Sequence, residues 1–215
     1  MPAELQPPLD VSELRVLATL SEKEIATPEY YPLSLNSLTA ACNQKTNRDP
    51  VTSFTEDEVR DALERLRHRG LAFVRTGAGS RVEKHGSRLQ EQFNFGRGEL
   101  AVLIELMLRG PQTVGELRTR ADRLHRFEDI GQVEHTLSVL ADRSFTRQLP
   151  LHPGIKEPRW AQLLAGEPAD VAVSSERPAA PREDRLAALE SQVAQLAADV
   201  DVLRAQLAEL WKQLS

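Results

Sequence analysis

The sequence predicts a mainly α, α+β fold with small β-hairpin wings. Two tandem winged helix-turn-helix domains are followed by a C-terminal coiled-coil helix. Three observations carry this prediction. The order helix, helix, helix, hairpin occurs twice. Apolar residues of the first copy recur in the second at fixed offsets. The last thirty residues follow a heptad pattern.

The 215 residues are 40% apolar and 27% charged, enough for a folded core. Lys plus Arg total 27 and Asp plus Glu total 32, a net charge of −5. That argues against a protein coated in positive charge for bulk nucleic-acid binding. No apolar run is long enough to span a bilayer, and no signal-peptide pattern precedes the first helix. One cysteine, Cys42, excludes an internal disulfide framework and a cysteine-rich metal site. A cytoplasmic protein with no membrane partner is expected.

The first helix follows Asp10. Leu14, Val16, Leu17 and Leu20 share a face, and Asp10 or Ser12 can cap its start. Pro28 and Pro32 break it. Ser34 opens a short helix bearing Leu35, Leu38, Ala41 and Cys42, which ends at the amide-rich stretch Asn43–Pro50. Thr55 and Glu58 form a capping box for a third helix, with Val59, Ala62, Leu63 and Leu66 inward and Gly70 at its C-terminal cap. Leu71–Thr76 and Arg81–His85 then read as strands joined by Gly77-Ala78-Gly79.

The order recurs. Glu99–Arg109 is a helix stopped by Gly110-Pro111, Thr113 and Glu116 repeat the capping-box spacing, and a short helix carries Leu117, Ala121 and Leu124. Ile130–Arg143 is a third helix with Val133, Leu137 and Leu140 inward, and Phe145–Leu151 and Arg159–Leu164 form a second hairpin. Gly96-Arg97-Gly98 reads as a joint between domains. Val16, Leu17 and Leu20 match Val102, Leu103 and Leu106 at an offset of 86, and Val59, Leu63 and Leu66 match Val133, Leu137 and Leu140 at an offset of 74. Read as a structural repeat, the first copy holds an insertion of 12 residues around Pro28–Pro50; the alternative is two unrelated stretches that share a common helical pattern.

Domains are accordingly expected at 1–97 and 98–165, a Pro-rich linker at 166–182 and a coiled-coil helix at 183–215. In the last, Leu186, Val193, Val200, Leu207 and Leu214 alternate with Leu189, Leu196, Leu203 and Leu210 at the core heptad positions. The attractive pairs Arg185–Glu190 and Asp199–Arg204 suit a parallel homodimer, each worth about 0–1 kcal/mol; the competing reading is that this helix folds back on its own winged domains.

The segment Tyr31-Pro32-Leu33-Ser34-Leu35-Asn36 through Ala41-Cys42-Asn43-Gln44-Lys45-Thr46-Asn47-Arg48-Asp49-Pro50-Val51 resembles the signature of the bacterial YceH-like family. Leu106–Arg118, with Arg109-Gly110-Pro111-Gln112-Thr113-Val114 at its centre, resembles a second motif of that family. The resemblance covers about residues 11–165. It implies two tandem winged-helix domains of unassigned function and carries over no catalytic residue.

The winged helix suggests DNA binding through a third helix in the major groove. Here the outward positions of the first such helix are Asp57, Asp61, Glu64 and His68, with Arg65 alongside. Carboxylates facing phosphates are repelled. The second presents Gly131, His135, Ser138 and Asp142, none reliably cationic. Basic residues lie elsewhere, and Arg60–Arg97 holds nine basic against four acidic residues. The candidate nucleic-acid contacts are therefore Asn43, Lys45, Asn47 and Arg48 in the amide-rich loop, Arg67, Arg75, Arg81 and Lys84 around the wing, and Arg118, Arg123 and Arg126 in the second copy. Set against this, the arginines could pair with neighbouring acids, and the loop amides could serve only to hold the insertion. The alternative function is a protein-interaction adaptor that uses its winged domains as docking surfaces.

No enzymatic site, cofactor or metal site is expected. The five histidines show no HxxxH or HExxH spacing and read as surface residues. Cys42 reads as a small buried thiol. Tyr30 and Tyr31 are expected to pack under the insertion.

Overall fold

The computed structural model describes residues 5–76, 82–151 and 157–168. The expected coiled coil of residues 183–215 and its nine core positions, Leu186 through Leu214, lie outside these, as do most of the linker and both hairpin tips.

Helix α1, Val11–Ala26, starts at a capping box in which Asp10 accepts from the Glu13 amide and Glu13 accepts from the Asp10 amide. A short 3₁₀ turn, Pro28–Tyr30, leads to α2, Leu35–Cys42, capped by Ser34. Helix α3, Glu56–His68, begins at the Thr55–Glu58 box. Strands β1, Ala72–Thr76, and β2, Glu83–Ser87, pair antiparallel. A short helix α4, Leu89–Phe93, follows, which the sequence reading missed. Then come α5, Arg97–Arg109, α6, Val114–Ala121, α7, Ile130–Asp142, and a hairpin of β3, Thr146–Gln148, with β4, Trp160–Gln162.

The described residues thus form a mixed fold of seven α-helices and two small antiparallel hairpins. The expected joint Gly96-Arg97-Gly98 coincides with the N-cap and first turn of α5. The Gly96 amide donates to Glu99, so the helix begins at Arg97, two residues before the expected start at Glu99.

The repeat extends into the hydrogen bonding. Leu33 exchanges two backbone bonds with His85, and Gln112 exchanges two with Trp160, so the residue before the N-cap of each second helix is bridged to the second strand of its hairpin. At the end of α3, the Gly70 amide donates to Arg67 and the Leu71 amide to Leu66. At the end of α7, the Ser144 amide donates to Ala141 and the Phe145 amide to Leu140. Both are Schellman caps. The residue in the left-handed region is Gly70 in one (φ 71) and Ser144 in the other (φ 61). The offset between copies is 86 for α1 and α5, 79 for α2 and α6, and 74 for α3 and α7. The insertion is therefore divided, with seven residues before the second helix and five after it.

One continuous apolar core includes Leu17 and Leu20 of α1, Leu63 and Leu66 of α3, Leu103 and Leu106 of α5, and Leu137 and Leu140 of α7. Helix α1 packs directly against α5. Phe93, Phe95 and Phe145 pack with ring centroids 4.7–5.6 Å apart. The Arg143 guanidinium lies 4.9 Å from the Phe95 ring centre and bonds Glu99 at 3.0 Å. This cluster ties the segment between α4 and α5 to the end of α7. Gly86 of β2 lies beneath Phe73 of β1. A Cβ there would come within 2.2 Å of the ring, so only glycine lets the aromatic side chain cross the strand.

Candidate nucleic-acid interface

Strand alternation places Phe73 and Arg75 on one face of the first hairpin, with Lys84 directly across from Arg75. Arg88 reaches the same face, its guanidinium 5.8 Å from the centre of the Phe73 ring. Arg67, Glu64 and His68 of α3 line a cleft of about 420 Å³ together with Phe73 and Arg88. Arg67, Arg75 and Arg88 are exposed and Lys84 is half-buried. Two like charges facing each other across a ladder destabilise it unless an anion neutralises them. Arg81 lies outside the described residues.

The other expected contacts fall in different places. Lys45 is exposed in the amide-rich loop. Arg118 and Arg126 are exposed and line one open cleft with Thr119 and Phe127, together with Asp122 and Glu128. Arg118 is held there by the Glu128 carbonyl at 3.1 Å. The structure therefore gathers Arg67, Arg75 and Lys84 around the first hairpin and Arg118 with Arg126 beside α6.

Asn43, Asn47, Arg48 and Arg123 bond the protein's own groups. Asn43 bonds the Phe54 amide at 2.8 Å and the Phe54 carbonyl at 2.7 Å, as a neighbouring strand would. Asn47 accepts from Arg109 at 2.6 Å. The Arg48 side chain is 0% exposed and its guanidinium bonds Glu22 at 2.5 and 3.2 Å and the Ala41 carbonyl at 3.0 Å. Arg123, 30% exposed, bridges Glu22 at 2.5 Å and Glu105 at 2.7 Å. A fully buried guanidinium cannot meet a phosphate without breaking these bonds. The amides and Arg48 hold the inserted loop against α1 and α5.

This buried charge cluster escaped the sequence reading. Glu22 and Glu105 are 1% and 0% exposed, and Arg109 approaches Glu105 at 3.4 Å. Burial pushes the Glu22 carboxyl upward, but the guanidiniums of Arg48 and Arg123 outweigh it and hold the group below its ordinary value. For Glu105 burial prevails over Arg123 and Arg109, and the carboxyl is raised. One cue existed: Glu105 is the single acid in the apolar run Leu100–Leu108, where a charge demands a partner.

Three smaller expectations resolve here. Cys42 is buried and its thiol is pushed up to about 11 by that burial, so it is a poor nucleophile. His85 is buried rather than at the surface, because β2 carries it under the Leu33 bridge. Burial lowers its basicity. Tyr31 packs inward and its hydroxyl accepts from the Ser87 amide at 2.6 Å, whereas Tyr30 is 71% exposed. Among the described residues no helix is long and apolar enough to cross a membrane, and no cluster of His, Cys, Asp and Glu has metal-binding geometry.

A family profile described as "Protein of unknown function, DUF480" matches residues 9–155. The chain is 55% identical over 194 residues to a "UPF0502 protein" of Solibacter usitatus, covering 87% of this chain and 92% of the relative. It is 53% identical over 190 residues to a "UPF0502 protein" of Citrifermentans bemidjiense, covering 86% and 88%. A "UPF0502 protein" of Geobacter sulfurreducens is 51% identical over 196 residues, with 86% and 88% covered.

Proposed function

The chain belongs to the DUF480/UPF0502 family of bacterial proteins of unknown function, with which the YceH-like resemblance agrees, and from its own residues we propose a non-enzymatic, DNA-binding regulatory role. In this reading each helix-helix-helix-hairpin unit is a winged helix-turn-helix domain, the first spanning 1–97 and the second 98–165. The first hairpin contacts the phosphate backbone of duplex DNA. The observation that carries this is the facing pair Arg75 and Lys84, with Arg88 on the same face and Arg67 at its root. A polyanion removes the repulsion between the facing pair and releases its own counterions. Helix α3 is not the reading element, because Asp57, Asp61 and Glu64 line its exposed side. Contact is therefore directed at the backbone rather than at base edges.

The protein acts in the cytoplasm as a homodimer joined through the heptads of residues 183–215, which doubles the hairpins offered to one duplex. Anisotropy titration of the full chain with a labelled random duplex at low salt tests the contact. Saturable binding is expected, weakened at least tenfold by Arg75→Glu with Lys84→Glu. Absence of binding, or binding indifferent to that reversal, contradicts the proposal.

The acidic exposed face of α3 favours a second reading, a protein-docking adaptor. It predicts partner capture that Asp57→Lys with Asp61→Lys abolishes and that the hairpin reversal leaves intact.

A further inference from the structure

Four separate segments meet in the buried charge cluster. Helix α1 supplies Glu22, the loop after α2 supplies Arg48, α5 supplies Glu105 and Arg109, and the segment after α6 supplies Arg123. Arg123 and Glu22 are 101 residues apart in the chain and 2.5 Å apart in space. The loop is pinned a second time by the Asp49 amide on the Leu108 carbonyl at 2.9 Å. Arg15 of α1 adds a bond to the Pro50 carbonyl at 2.7 Å.

Apolar contact between α1 and α5 is non-directional, and leucine and valine faces tolerate several registers. Shared guanidinium–carboxylate bonds do not, because their donors fork at fixed angles. Buried ion pairs add little net stability over apolar side chains of the same size, and their best-attested use is to select one arrangement among several. We propose that the Glu22–Arg48–Arg123–Glu105 cluster is a registry lock, which fixes how α1 crosses α5 and so holds the two hairpins in one spatial relation. The pair of hairpins is then presented to a partner as a rigid unit. This inference stands on the cluster alone and does not depend on what the hairpins bind.

Spin labels on the full chain test it. Thr76→Cys on β1 and Gln148→Cys on β3 are exposed positions outside the cluster, and buried Cys42 stays unlabelled. Labelled chains are diluted into unlabelled ones so that only distances within a chain are read. The parent chain is expected to give one narrow distance. Replacing Glu22, Arg48, Glu105 and Arg123 all by Met is expected to leave the helical circular dichroism intact and to broaden or split the distribution. Arg123→Lys, with one compact head in place of a fork, is expected to broaden it less and keeps the test alive if the fourfold variant does not fold. A parent chain that already shows a broad distribution overturns the proposal. So does a distribution that stays narrow in the folded variants.

Discussion

At the scale of single residues, the two Schellman caps offer a controlled comparison. Gly70 and Ser144 sit in the same left-handed position after equivalent helices. A side chain there costs on the order of 1 kcal/mol, because Cβ crowds the backbone carbonyl. Ser144→Gly should therefore raise the thermal midpoint by roughly 2–4 °C, and Gly70→Ala should lower it by a similar amount, both read by calorimetry. Gly86→Ala should cost more, about 1–3 kcal/mol, since the Phe73 ring has to leave its seat over β2. Retained stability in that variant would show that the ring is not held where the structure places it. These residues also show what a sequence displays. Gly70 announced its cap because glycine is the usual residue there, while Ser144 gave no sign, although its hydrogen bonding is the same.

At the scale of elements, several helix starts were legible because capping is local: Thr55 with Glu58 and Thr113 with Glu116 act within four residues. Helix α4 was not, since its five residues are too few to show a period. The inserted loop was readable as a loop but not as a clamp, because the partners of Arg48 and Arg123 lie 26 and 101 residues away. Here a titration discriminates. The folded-state pKa of Glu22 is depressed, so its contribution is present above the ordinary carboxylate value of about 4.3 and is lost as pH falls through the lowered folded value. Glu22→Gln leaves two guanidiniums short of a charge and should cost about 3–5 kcal/mol at pH 7. The gap between the two proteins should close as the pH falls below about 4. A gap of constant size across the titration would mean that Glu22 acts by shape alone. Glu105 works in the opposite sense: its raised carboxyl is a burden at neutral pH that protonation relieves.

At the scale of the whole molecule, the heptads and the charge distribution make separate claims. Removing residues 183–215 should turn a dimer into a monomer in sedimentation equilibrium, and an unchanged mass would contradict the proposed pairing. The net charge of −5 hid a local excess on the first hairpin, and the sequence showed that excess without showing which basic residues faced solvent. Burial removed Arg48 from the candidates and pairing committed Arg123; Lys45, Arg118 and Arg126 stay exposed elsewhere, while Arg67, Arg75 and Lys84 gather around the first hairpin, where Arg88 joins them. The central claim is that this surface meets a phosphate backbone. Its most direct test is the slope of log binding constant against log salt for a random duplex, compared between the parent chain and Arg75→Glu with Lys84→Glu. Each lost phosphate contact should make the slope shallower by about 0.9, so a change of roughly 2 is expected for the pair. A slope near zero in the parent chain, or an identical slope in both proteins, would contradict it.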